Sequence, residues 1–120
     1  MAVQRQDGWA NDSAPTLTGN DLTGKERRML TRVSGGVRLA QFGERVCGVC
    51  QEGKAAGLTS SYATMGFPLK VIASQAFTIG QAVQAGADGS AVVGTTNQVG
   101  VSRNACASGE LVEVDWDRIT

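Results

Sequence analysis

Cys47-Gly-Val-Cys50 is the one spacing in this 120-residue chain that could do chemistry by itself. A C-x-x-C pair can be a dithiol redox centre or half of a zinc site. The redox form works where the first cysteine opens a helix, because the helix dipole lowers its pKa. Here the pair lies inside an apolar run with Gly48 between its members, which reads as strand. Residues three apart on an extended strand sit roughly 10 Å apart and on opposite faces. A disulfide needs Cα atoms within about 7 Å. Zinc would need two further ligands, and the sequence offers only Cys106 and no histidine. The cysteines therefore read as small buried hydrophobes.

The other candidate groups are weaker still. Glu113 and Asp115 share one strand face and could hold a cation, but a solvated sheet edge explains them without a ligand. Gly80, Gly86 and Gly89 do not make G-x-G-x-x-G, nor a phosphate loop leading into a helix. Without histidine no Ser-His-Asp triad exists, although Ser, Lys and carboxylate combinations stay open. The chain is expected not to be an enzyme, with no catalytic, cofactor-binding or metal residues.

The elements around these groups are short. Sixteen glycines divide the chain, and the longest interval without one, Phe67 to Ile79, has Pro68 near its start. Helices of ordinary length have little room there. Between Lys70 and Trp116 the apolar runs are cut by Gly, Asp-Gly, Thr-Thr-Asn or Ser-Gly, as in small antiparallel β domains. The clearest strand is the last: Val112, Val114 and Trp116 point one way, Glu113, Asp115 and Asp117 the other. Val37–Ala40, Arg45–Gln51, Leu58–Met65, Phe67–Ala73, Phe77–Ile79 with Ala82-Val83, Ala91–Val93 and Gln98–Ala105 supply the rest, and Asp88-Gly89 is a hairpin turn signal. The expectation is an all-β, small barrel- or sandwich-like domain of about eight short strands. Lys25–Val33 stays open between strand and helix, because Thr23-Gly-Lys-Glu26 fits a capping box while Gly35-Gly36 limits any helix to about two turns. Its excess of positive charge is a solvated face or a contact with an acidic neighbour.

Residues 1–24 are polar, with Val3, Trp9, Leu17 and Leu22 as their large apolar side chains. Such an arm cannot by itself offset the entropy of ordering it. It is expected to be extended, or ordered on binding, with 25–120 forming the compact β domain. The expected partner contacts are Val3, Arg5, Trp9, Leu17 and Leu22, with Trp9 as the main anchor.

Composition excludes several classes. Eleven basic and eleven acidic residues cancel, which argues against nucleic-acid binding. No run of eighteen apolar residues exists to span a membrane, and the first residues lack the hydrophobic core of an export signal. Three cysteines do not make a disulfide framework, which suits synthesis in a reducing cytoplasm. With only three Phe, two Trp and one Tyr, the core must rest on aliphatic residues, and shared burial with partners would help it.

From Asp21 to Trp116 the chain resembles a known family, the small capsid decoration or cement proteins of tailed bacteriophages. The likeness rests on phrases in order: Asp21-Leu-Thr-Gly-Lys25, Arg45-Val-Cys-Gly-Val-Cys-Gln51, Ala56-Gly57, Leu69-Lys-Val-Ile-Ala73, Ile79-Gly-Gln-Ala-Val83, Ala87-Asp-Gly89, Val99-Gly-Val101 and Ser108-Gly-Glu-Leu-Val-Glu-Val114. Arg27-Arg28-Met29 stands where an aromatic-containing strand is expected. The resemblance implies a small β domain on the outside of a capsid, made in the host cytoplasm. Its partner would be the major capsid protein, which it would bridge and reinforce as a homodimer or homotrimer. Three other readings compete: a biotinyl- or lipoyl-type carrier, for which no lysine stands at a hairpin tip, a redox or zinc protein built on the cysteines, and a cytoplasmic binding module of another kind.

Overall fold

The computed structural model describes residues 10–16, 21–65 and 69–116. Among them are ten strands: β1 (Ala10–Pro15), β2 (Met29–Val33), β3 (Gly36–Leu39), β4 (Gly48–Glu52), β5 (Thr59–Met65), β6 (Leu69–Ile72), β7 (Ala82–Ala85), β8 (Ala91–Val93), β9 (Gly100–Ser102) and β10 (Leu111–Trp116). They form two five-stranded sheets, in the orders β1-β5-β4-β2-β3 and β6-β10-β9-β7-β8. All their strand pairs are antiparallel. The all-β expectation holds, and the arrangement is a sandwich rather than a closed barrel. The first half of the chain builds one sheet and the second half the other.

Two apolar clusters stabilise this arrangement. One lies between the sheets: Met29, Ala40, Val46 and Val49 meet Val71, Ala73, Phe77, Val83, Ala85, Ala91, Val99, Val112 and Val114. The other comes wholly from the first half of the chain, with Ala14, Leu22, Leu30, Val37, Cys47, Cys50 and Tyr62. Its position follows from the curl of the first sheet. An isolated parallel bridge, Thr16 to Val37, brings the end of β1 beside β3, its opposite edge. The first sheet is thus apolar on both faces, one toward the second sheet and one into its own concavity.

That double burial explains why 25–33 could not be read from its periodicity. Met29 and Leu30 are both fully buried but belong to different clusters, so β2 carries no alternation of apolar and polar residues. The capping-box residues act otherwise. The Thr23 N–H donates to Asp21 Oδ1 (2.9 Å), and the Glu26 carboxylate accepts from Gly53 N–H (2.8 Å). Arg27 has φ +70°, which no helix accommodates. Pairing with β3 and β4 decides the outcome in favour of strand.

β1 draws part of the expected arm into the domain. Ala10–Pro15 runs antiparallel to Thr59–Met65, and Thr16 Oγ1 meets Ser60 Oγ at 2.9 Å, both residues buried. The β7–β8 hairpin turns at Asp88-Gly89 as expected, with φ +53° at Asp88 and +75° at Gly89. On β10, Val112 and Val114 face the inter-sheet core while Asp115 is exposed. The outer strand β8 is covered rather than open: Ser74 N–H donates to Ala91 O (3.0 Å), and Val93 N–H donates to Gln75 Oε1 (3.1 Å). Covering an edge in this way removes a template for unwanted pairing.

Candidate functional site

Cys47 and Cys50 are both buried, and both belong to the cluster inside the first sheet. This corrects the expectation of opposite faces. Val46 and Val49 both turn to the inter-sheet core, so the two-residue alternation breaks at Gly48, which lies hard against β5. Burial pushes the Cys50 thiol up to about 11; the Glu26 carboxylate adds to this, and the Glu52 N–H opposes it. At neutral pH such a thiol is almost wholly protonated and a poor nucleophile or metal ligand. Cys106 is only partly buried. A thiol reagent is therefore expected to modify one cysteine rapidly in the native protein and all three after denaturation. Rapid native modification of two or three would contradict the burial. No group of three His, Cys, Asp or Glu that could hold a metal occurs among the described residues.

The charged candidates disperse. Glu113 stands opposite Lys70 across the β10–β6 pair, and Asp115 stands opposite Val101. The basic run at 25–33 does not gather into one patch. Arg28 donates to the Asp88 carbonyl (3.0 Å), Arg32 donates to the Tyr62 hydroxyl (2.7 Å), and Arg27 is exposed.

Of the expected contact residues, Val3, Arg5, Trp9 and Leu17 lie outside the described residues. Leu22 lies within them and is fully buried. Its N–H donates to Lys54 O (2.9 Å), and its side chain packs into the cluster inside the first sheet. Leu22 is thus part of the domain core, so its surface is turned to its own chain.

The exposed large apolar residues are elsewhere. Phe42 is 72% exposed and Ile79 73% exposed, with Leu58, Leu111 and Val93 less so. Phe77 and Ile79 were expected to share a strand face, but Phe77 is 2% exposed and pairs with Cys106, while Ile79 stands in a turn. Phe42 sits in the turn Gln41–Glu44, which is held from several sides. Glu44 N–H donates to Gln41 O (3.0 Å) and Gly43 N–H to Ala85 O (3.0 Å). Asn97 Nδ2 donates to Gly43 O (2.9 Å). Arg38 grips Glu44 with two hydrogen bonds, at 2.8 and 2.9 Å, and holds that carboxyl below its usual range. Gln41 and Asp88 exchange two more: Gln41 Nε2 donates to Asp88 Oδ1 (3.2 Å), and Asp88 N–H donates to Gln41 Oε1 (3.1 Å). The sequence signal was present as an apolar residue before a turn glycine, but composition cannot say that such a side chain stays outside.

Three comparisons bear on identity. No curated protein matches the chain. Among solved structures, the N base of the head fiber gp8.5 of bacteriophage phi29 has a similar fold, with a TM-score of 0.71 and 17% sequence identity. The likeness covers 93% of this chain and 97% of that one. A family model described as phage cement protein matches residues 18–116, which takes in nine of the ten strands, β2 through β10. The chain belongs to the phage cement protein family.

Proposed function

We propose that this protein is a structural component of the virion that binds the outer surface of a phage head, bridges neighbouring major capsid subunits and stabilises the shell. The observation that carries the reading is the family match across both sheets. The fold shared with a head fiber base supports it. In this reading the arm supplies part of the contact through Val3, Arg5, Trp9 and Leu17, while the buried Leu22 fastens the arm's root to the domain. Two or three copies gather at each site. Modest contacts then gain strength because a second attachment, once the first is made, is intramolecular.

Binding to phage heads assembled without the protein tests this directly. The full chain is expected to sediment with such heads and to raise the temperature at which they fall apart. Heads that stay bare at micromolar protein would refute the reading. Deleting residues 1–9 removes Val3, Arg5 and Trp9 but keeps β1, so shell binding is expected to fall while the unfolding midpoint stays put. Deleting residues 1–20 also removes β1 and is expected to lower that midpoint, because β5 loses its neighbour.

A further inference from the structure

Three turns in this chain share one local plan. The first residue's N–H donates to the side-chain Oε1 of the residue three places on: Gln41 to Glu44 (2.7 Å), Thr78 to Gln81 (2.8 Å) and Ala107 to Glu110 (2.8 Å). In each, the third place is a glycine with positive φ: Gly43 at +75°, Gly80 at +87° and Gly109 at +91°. The second place, at the tip, holds Phe42, Ile79 and Ser108. Ser108 shows that the plan is satisfied by a small polar residue. Nothing in the turn requires an aromatic or branched aliphatic side chain, yet two of the three tips carry one in water. These are also the two most exposed large apolar residues among those described.

Both tips are held rigidly and both are tied to β7. The Phe42 turn bonds to Ala85 at the end of β7, through Gly43 N–H. The Ile79 turn leads straight into Ala82 at its start, and Gly80 N–H and Gln81 N–H bond to Ser102 of β9 (2.9 and 3.0 Å). Their attachment points are thus about 10 Å apart along the strand, by the rise per residue. A turn whose backbone is already held loses little freedom on binding, as expected of a segment that carries an interface anchor. Glu44 beside Phe42 already has Arg38 as its counter-ion, so covering that tip leaves no unpaired Glu44 charge.

We propose that Phe42 and Ile79 are the side chains by which this domain docks on the capsid shell, each entering an apolar depression on the shell surface. This rests on the capsid-binding reading above and names the contact within it. Area argues for the shell rather than a second copy. Phe42 offers roughly 200 Å² and the smaller Ile79 less, together far short of the roughly 1,200 Å² that a stable dimer buries. On a shell, the same tips act together with the arm and with neighbouring copies.

The test uses the full chain carrying both Phe42→Ser and Ile79→Ser, mixed with heads assembled without the protein. Ser108→Ala serves as a control. The double variant is expected to keep the wild-type unfolding midpoint and to bind at least about tenfold more weakly, whereas Phe42→Leu with Ile79→Leu keeps most of the binding. Wild-type binding by the double serine variant, beside a wild-type protein that does bind, would overturn the docking proposal and leave the capsid reading intact. A wild-type protein that fails to bind heads would overturn the capsid reading, and the docking proposal with it. Concentration-dependent self-association abolished by the double variant would make a second copy the occupant and overturn the shell assignment.

Discussion

Replacing Tyr62 by alanine is expected to destabilise the folded protein by about 3–5 kcal/mol, the range for removing a buried aromatic ring. Tyr62 is the largest fully buried side chain of the described residues, at 1% exposure. It fills the concavity of the first sheet, where its other occupants are smaller: Ala14, Leu22, Leu30, Val37, Cys47 and Cys50. It stands opposite Cys50 on β4 and Asp12 on β1, in the middle of three neighbouring strands. Alanine would leave a cavity that only a change in the sheet's curl could collapse. It would also leave the Arg32 guanidinium without the hydroxyl it meets at 2.7 Å. Tyr62→Phe separates the two effects, since it keeps the ring and loses only the hydrogen bond, for about 1–3 kcal/mol. Urea unfolding midpoints of the three proteins provide the measurement. An alanine variant no less stable than the phenylalanine variant would mean that the concavity is not a packed core.

Gly48→Val is expected to be similarly damaging, at about 3 kcal/mol or more, for the opposite reason: it overfills rather than empties. A Cβ built on Gly48 would overlap the Ala63 carbonyl oxygen and stand 2.6 Å from the Tyr62 ring. A flexible side chain could turn aside, but a carbonyl in the middle of β5 cannot move without disturbing its pairs with β1 and β4. The same close approach breaks the alternation of β4 and lets Cys47 and Cys50 enter one cluster. The β-branched side chain would otherwise favour a strand, so a loss of stability here isolates the steric effect. A valine variant with the wild-type urea midpoint would show that β4 and β5 are not in contact at Gly48.

Both predictions concern the first sheet, which was also the harder half to read in advance. In the second sheet, β10 alternates, with Val112 and Val114 buried between more exposed neighbours, because only one of its faces meets the core. The Asp88-Gly89 turn is equally plain, since positive φ at both residues is the local requirement of a tight hairpin. In the first sheet, Met29 and Leu30 each serve a different core, which erases the period-two pattern in β2. β1 is legible from neither hydropathy nor propensity. Ala10–Pro15 joins the sheet through backbone pairing with a strand almost fifty residues away, and a polar sequence gives no sign of that.

The candidate contacts divide in the same way. Leu22 was grouped with the arm because polar residues surround it in sequence, yet it is buried by strands that come later in the chain. Ile79 reads as part of a strand and Phe42 carries no signal of its own beyond the turn glycine after it, and the exposure of both becomes visible only once the whole surface is assembled. The order of short phrases from Asp21 to Trp116 nevertheless sufficed to suggest the phage cement family.

Turn chemistry and the all-β class follow from the residues themselves, because each depends on a few neighbours along the chain. Cys47-Gly-Val-Cys50, the spacing that most resembled chemistry, needed both levels. The sequence withheld the further ligands a metal would require, and the fold then enclosed both thiols in apolar surroundings. Tertiary structure alone decided that the first sheet curls around a core of its own. It alone also decided that two apolar side chains stand outside on rigid turns, because burial is a property of contacts between strands tens of residues apart.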